Sequence, residues 1–129
     1  MPLLYFNVLE GRSDAELKTM LDAAHRAMLA AFKVPERDRY QLVTERKPSR
    51  MIVEDTGLGF DRSDKVVVVQ MVSRPRGKEA KQEFYRLLVE ELQKSCGIEP
   101  KDVMVSIVEN TDEDWSFGLG RAQFLEGDL

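Results

Sequence analysis

A chain of 129 residues, 43% apolar and 33% charged, has the size and balance to bury one core without disulfides or metal. Its net charge is −4 and no basic run stands out, which argues against nucleic acid as a partner. The single cysteine, Cys96, excludes an intrachain disulfide, and one histidine beside it cannot build a usual zinc site. The longest apolar run, VVVVQMV at 66–72, is too short to span a bilayer, and no basic-then-apolar leader opens the chain. A cytoplasmic protein with no membrane partner is expected.

PLLYFNVLE (2–10) is apolar and aromatic enough for a strand, with its centre expected to be covered on both faces. Proline at its first position has two readings. The plain one is a strand start, where a missing N–H costs nothing. The other follows removal of Met1: Pro2 would then carry a free secondary amine able to act as acid, base or imine-forming nucleophile.

SDAE (13–16) is a capping box, and Leu17, Met20, Leu21, Ala24, Met28, Ala31 and Phe32 follow as the stripe of an amphipathic helix that Pro35 helps to stop. RYQLVTE (39–45) reads as a second strand, with Tyr40, Leu42 and Thr44 alternating on one face. From Arg46 to Lys65 the chain carries turn and breaker signals, with MIV (51–53) as an extra strand or hairpin arm. TGLGF within it lacks the strand-to-helix context of a phosphate loop. KVVVVQMVS (65–73) is β-branched, as a central strand should be. A helix from about Lys78 to Ser95 buries Phe84, Leu87, Leu88 and Leu92, and Gly97 ends it. DVMVSIVEN (102–110) is a fourth strand, followed by a tail with no long period.

The order repeats. The shift that carries Phe32 onto Cys96 also lays the first strand on the third and Asp38 on Asp102. Two tandem β-α-β halves, about 2–45 and 65–110, with a tail at 111–129, predict one α+β domain over 1–129: a four-stranded mixed sheet with two helices on one face. A pseudo-twofold between the halves sets strands one and three antiparallel, which brings Pro2 beside Ser73-Arg74-Pro75-Arg76. Parallel strands one and two start at the same edge, which brings Asp38 there too.

That juxtaposition gives the polar residues a use. Arg74 and Arg76, stiffened by the proline between them, can grip a carboxylate through planar forks. Asp38 can hold a protonated amine at Pro2. Taken singly, the arginines read as a solvated strand end and Asp38 as a turn residue. Trp115, Phe117 and Phe124 offer apolar surface that serves a core or an oligomer contact equally well. His25 reads as a helix imidazole, and Cys96 as a small core residue.

Together the Pro2 start, the two halves, Asp38, SRPR and the tail VSIVENTDEDWSFGLGRAQFLEGDL resemble the tautomerase superfamily, and within it the malonate semialdehyde decarboxylases. The likeness covers essentially the whole chain. It implies a homotrimer without metal or organic cofactor that acts on a small carboxylate-bearing substrate. By motif position it implies Pro2, Asp38, Arg74 and Arg76 as catalytic groups, the two arginines also binding substrate. Trp115, Phe117, Phe124 and Leu129 fall on the apolar wall. The implied reaction is loss of CO₂ from a small 3-oxo acid, through a hydrogen bond from Pro2 or an iminium formed on it. Tautomerisation, hydration or dehalogenation of a small unsaturated or halogenated acid is the alternative on the same site. The superfamily's resemblance to macrophage migration inhibitory factor adds a third, a non-enzymatic cytokine-like role. One departure is Leu119, in WSFGLGRA, where the resemblance leads one to expect a basic residue.

Overall fold

The computed structural model describes residues 1–129. Strand β1 (Leu3–Leu9) leads into helix α1 (Asp14–Phe32), whose N-terminus closes on itself as the capping box requires. The Ser13 hydroxyl accepts from the Glu16 amide at 3.1 Å, and the Ser13 amide donates to the Glu16 carboxylate at 3.0 Å. Strand β2 (Tyr40–Arg46) completes the first half. Strand β3 (Val67–Ser73), helix α2 (Lys78–Cys96) and strand β4 (Val103–Glu109) form the second. The interval from Leu3 to Val67, which separates the starts of β1 and β3, also separates Asp14 from Lys78, where the two helices begin. The repeat legible in the sequence is thus a repeat of structure.

The sheet runs β2-β1-β3-β4, parallel within each half and antiparallel between β1 and β3. Leu3 pairs with Val72 across the central junction and with Tyr40 on the other side. This register sets the chain start beside the end of β3 and the start of β2. Both helices pack on one face. Leu4, Phe6 and Val8 from β1 and Val67, Val69 and Met71 from β3 meet Met20, Met28, Phe84, Leu88 and Leu92 in one buried cluster. Each such side chain withdrawn from water contributes about 1.5–3 kcal/mol against the entropy of ordering.

β1 differs from expectation. Only its even residues are buried; on the other face Tyr5 keeps 37% of its surface exposed. The expected alternation in β2 is present, but Tyr40, Leu42 and Thr44 share the face that no helix covers. The apolar run of β1 therefore feeds two faces, of which this chain covers one.

No strand forms at 51–53; a single 3-10 turn (Pro48–Arg50) precedes an irregular segment. Polar anchors hold that segment instead of a ladder. Asp102, buried, accepts from the Ser63 amide at 2.7 Å and its hydroxyl at 2.6 Å. Arg62 donates to the Lys101 carbonyl at 2.6 Å. The glycines of TGLGF wrap a carboxylate of their own chain, Asp55 accepting from the amides of Gly57, Gly59 and Phe60. A short third helix, α3 (Gln123–Glu126), lies in the tail, where no element was expected. No helix is long and apolar enough to cross a membrane.

Candidate active site

The β1–β3 register brings the chain start against SRPR. Arg76 leaves the end of β3 with its guanidinium fixed at several points. Its Nε donates to the Ser73 hydroxyl at 2.8 Å, and its backbone amide donates to Glu109 at 2.9 Å. The guanidinium lies 5.5 Å from the Phe32 ring centroid. Its Nη2 then donates to the Met1 carbonyl oxygen at 2.7 Å. That carbonyl carbon is bonded to the Pro2 nitrogen, so Arg76 holds an oxygen on the atom attached to that nitrogen.

From the other side, the Asp38 carboxylate pairs with the Met1 amine. Asp38 owes its position to the turn after Pro35, closed by its own amide donating to the Pro35 carbonyl at 2.9 Å. Burial first, and then the Arg76 charge, push the Met1 amine down to about 5. The Asp38 carboxylate on the same nitrogen acts in the opposite sense. Burial and the neighbouring Arg74 charge also lower the pKa of Arg76 from its ordinary value. Two like charges held in one small volume are what a bound anion would relieve.

Arg74 is aimed by different groups. Asp112 accepts from its Nε at 2.6 Å and its Nη2 at 3.2 Å, and the guanidinium lies 4.2 Å from the Phe124 ring centroid. Beyond it stands an aromatic tier: Phe117 stacks on Tyr40 at 5.8 Å and meets Phe124 edge-on at 5.3 Å. The Gln123 side chain locks the tier's loop, accepting from the Phe117 amide and donating to the Gly118 carbonyl, both at 2.9 Å.

These groups line one cavity of about 630 Å³. Of the residues singled out in the sequence, Asp38, Arg74, Arg76, Phe117, Phe124 and Leu129 line it. Pro2 is buried and does not line it; Met1, bonded to the Pro2 nitrogen, does. Trp115 does not line it; the indole stacks behind Phe117 at 5.5 Å and donates to Asn110 at 2.6 Å. Leu119 is 94% exposed on a left-handed backbone, φ 62°, and lines no part of the cavity. Sequence reading missed Tyr40, Phe32, Arg37 and Gln123 as wall residues. Tyr40 carries a signal: it opens the strand that starts beside Pro2.

A duplicated β-α-β sheet, with a basic and aromatic cavity where its first strand begins, defines a class of small enzymes. The chain belongs to the tautomerase family. Two models described as tautomerase enzyme match it, over residues 38–118 and 2–61. It is 55% identical, over the full length of both chains, to the probable tautomerase YrdN of Bacillus subtilis (strain 168). Among solved structures it is similar to a malonate semialdehyde decarboxylase with decarboxylase and hydratase activities: 56% identity, TM-score 0.97, 98% of each chain covered. A fused 4-OT, solved as a symmetric trimer, shares the fold at TM-score 0.79 and 20% identity, over 97% of this chain and 98% of that one.

Proposed function

We propose that this tautomerase-family enzyme decarboxylates a small 3-oxo acid, malonate semialdehyde in the first instance, to an aldehyde and CO₂. The observation that carries the reading is the grip of Arg76 on the oxygen next to the Pro2 nitrogen, with Asp38 on the opposite side. In the active form Met1 is absent and Pro2 presents a secondary amine. The Met1 carbonyl oxygen stands in for an oxygen of the bound acid, and the Met1 side chain for the bulk of the substrate.

The steps follow from charge. Arg76 and Arg74 hold the carboxylate so that the breaking C–C bond lies perpendicular to the carbonyl plane. The bond's electron pair moves onto the ketone or aldehyde oxygen, and the cationic Pro2 donates a hydrogen bond to the enolate that forms. CO₂ leaves along the wall of Phe117, Phe124 and Leu129, and the enolate carbon then takes a proton from water. That apolar wall disfavours a carboxylate and tolerates the neutral product. Asp38 holds Pro2 in its charged form.

A second reading has its own observation. Burial and the Arg76 charge lower the pKa of the Met1 amine, and the same two causes act on a Pro2 amine next to it. A Pro2 neutral at pH 7 is a base, suited to tautomerisation. Titration of ¹⁵N-labelled Pro2 separates the two. Removing Met1 opens the amine to the cavity and leaves Asp38 and Arg76 as its opposed neighbours. Asp38→Asn is therefore expected to lower the Pro2 pKa, and Arg76→Ala to raise it. Because decarboxylation needs the cation, kcat/KM should fall as pH rises through the Pro2 pKa. In Asp38→Asn that alkaline limb should move to lower pH. A limb that stays in place would remove Asp38 from this role.

The working unit we propose is a homotrimer of single-domain chains. The sheet face away from the helices leaves Tyr5, Leu42 (53% exposed), Met104 and Val108 (61% exposed) uncovered. Apolar surface on this scale calls for a second layer, and the fused 4-OT of the same fold is solved as a trimer. Sedimentation at micromolar concentration should give three times the chain mass of 14.8 kDa. A monomer would contradict it.

A further inference from the structure

The duplication has an image of the active site at the other end of the sheet. Under the shift that lays Asp38 on Asp102, Met1, Phe32 and Arg76 correspond to Lys65, Cys96 and Arg12, the last by the reverse shift. All three of these counterparts line a separate cavity of about 280 Å³. The correspondence extends to a hydrogen bond. Arg76 Nη2 donates to the Met1 carbonyl at 2.7 Å, and Arg12 Nη2 donates to the Lys65 carbonyl at 2.8 Å.

The acid–base half of the site has no counterpart. Val66 stands where Pro2 stands in the first half, an internal residue with no amine to offer. Asp102, the counterpart of Asp38, is turned to the Ser63 amide and hydroxyl. Of the two gripping arginines one has a counterpart: Arg74 falls on Glu10, which does not line the cavity, but Arg76 falls on Arg12, whose Nη1 is buried and bonded to no group of the chain. A guanidinium nitrogen withdrawn from water without a partner is costly, and an anion in the adjoining cavity would satisfy it. Of the charged groups lining the cavity, Arg12 and Lys65 outweigh Glu16 by one positive charge, and Ala15, Met20 and Cys96 supply apolar surface. Burial pushes the Cys96 thiol above its ordinary pKa, against the charges of Arg12 and Arg26. That suits a wall, not a nucleophile.

We propose that this cavity is a second, non-catalytic binding site for a small monocarboxylate. Arg12 Nη1 takes the carboxylate, Lys65 adds its charge, and Ala15 and Met20 meet a short aliphatic tail. The site stands on the duplication and on the unpartnered Arg12 Nη1, and does not depend on the reaction proposed above.

Cys96, the chain's only cysteine, reports on the cavity it lines. Its alkylation by iodoacetamide should slow saturably with propionate at constant ionic strength, and not with propionamide. The same protection should persist in Arg76→Ala, where the active site is disabled. In Arg12→Gln, apparent affinity should drop at least about tenfold with loss of a charge-assisted bond, while turnover of the enzyme stays at the wild-type rate. Should Cys96 resist alkylation in the native enzyme, the Arg12 Nε–Hε resonance, assigned by its absence from Arg12→Gln, should shift saturably with propionate instead. No effect of propionate by either readout would overturn the proposal. So would equal protection by propionamide, undiminished protection in Arg12→Gln, or protection that disappears in Arg76→Ala.

Discussion

Replacing Arg76 with alanine is expected to cost the enzyme roughly ten- to hundredfold in kcat/KM, the equivalent of a charge-assisted hydrogen bond of about 1.5–3 kcal/mol. The upper end is expected, because Arg76 orients as well as binds. Its guanidinium is held at Nε by the Ser73 hydroxyl and its backbone by Glu109 before any substrate arrives, which leaves less entropy to be lost on binding. Arg74→Ala should cost less. Asp112 already holds two of the Arg74 nitrogens and would compete with the substrate for them. A solvated strand end predicts unaltered kinetics for both variants. Steady-state assays on folded protein decide, and wild-type kcat/KM in Arg76→Ala would remove the substrate anchor.

Retention of Met1 should cost more still. Met1 lines the cavity, its carbonyl on Arg76 and its amine on Asp38, and its peptide bond converts the Pro2 amine into an amide. An amide nitrogen is neither acid nor base at neutral pH. The loss should be at least that of a general acid–base group, about 10²–10⁴-fold, with exclusion of substrate added. Intact mass spectrometry paired with activity checks it. An active preparation that keeps Met1 would end the amino-terminal mechanism.

Much of this is legible in the sequence because it is written in local period. The capping box at Ser13, the β-branched run of β3 and the matching stripes of α1 and α2 are short-range signals. Their recurrence at one constant interval implies the pairing of β1 with β3, and that pairing alone brings the chain start to Arg74 and Arg76. Asp38 comes into view through the same symmetry.

What escapes depends on contacts between distant residues. MIV at 51–53 has strand composition but pairs with no strand of the sheet; Asp102 and Arg62 tie down the segment that follows by a few polar contacts that leave no periodic trace. Trp115 and Phe117 are near neighbours in the chain and equally aromatic. Only the fold decides that Phe117 faces the cavity while Trp115 stacks behind it. Phe32 ends the helix stripe as a core residue would, yet its ring also meets Arg76. Gln123 locks the aromatic loop through its side-chain amide, a role that a tail without period does not announce.

The central claim is the reaction itself, and product analysis tests it most directly. Malonate semialdehyde incubated with protein of verified Pro2 terminus should disappear with matching appearance of acetaldehyde by ¹H NMR and of CO₂ or bicarbonate by ¹³C NMR, at a rate far above the uncatalysed background and reduced in Arg76→Ala. Persistence of malonate semialdehyde at the background rate, while the same preparation tautomerises a small enol acid, would contradict the decarboxylase and leave Pro2 as a base.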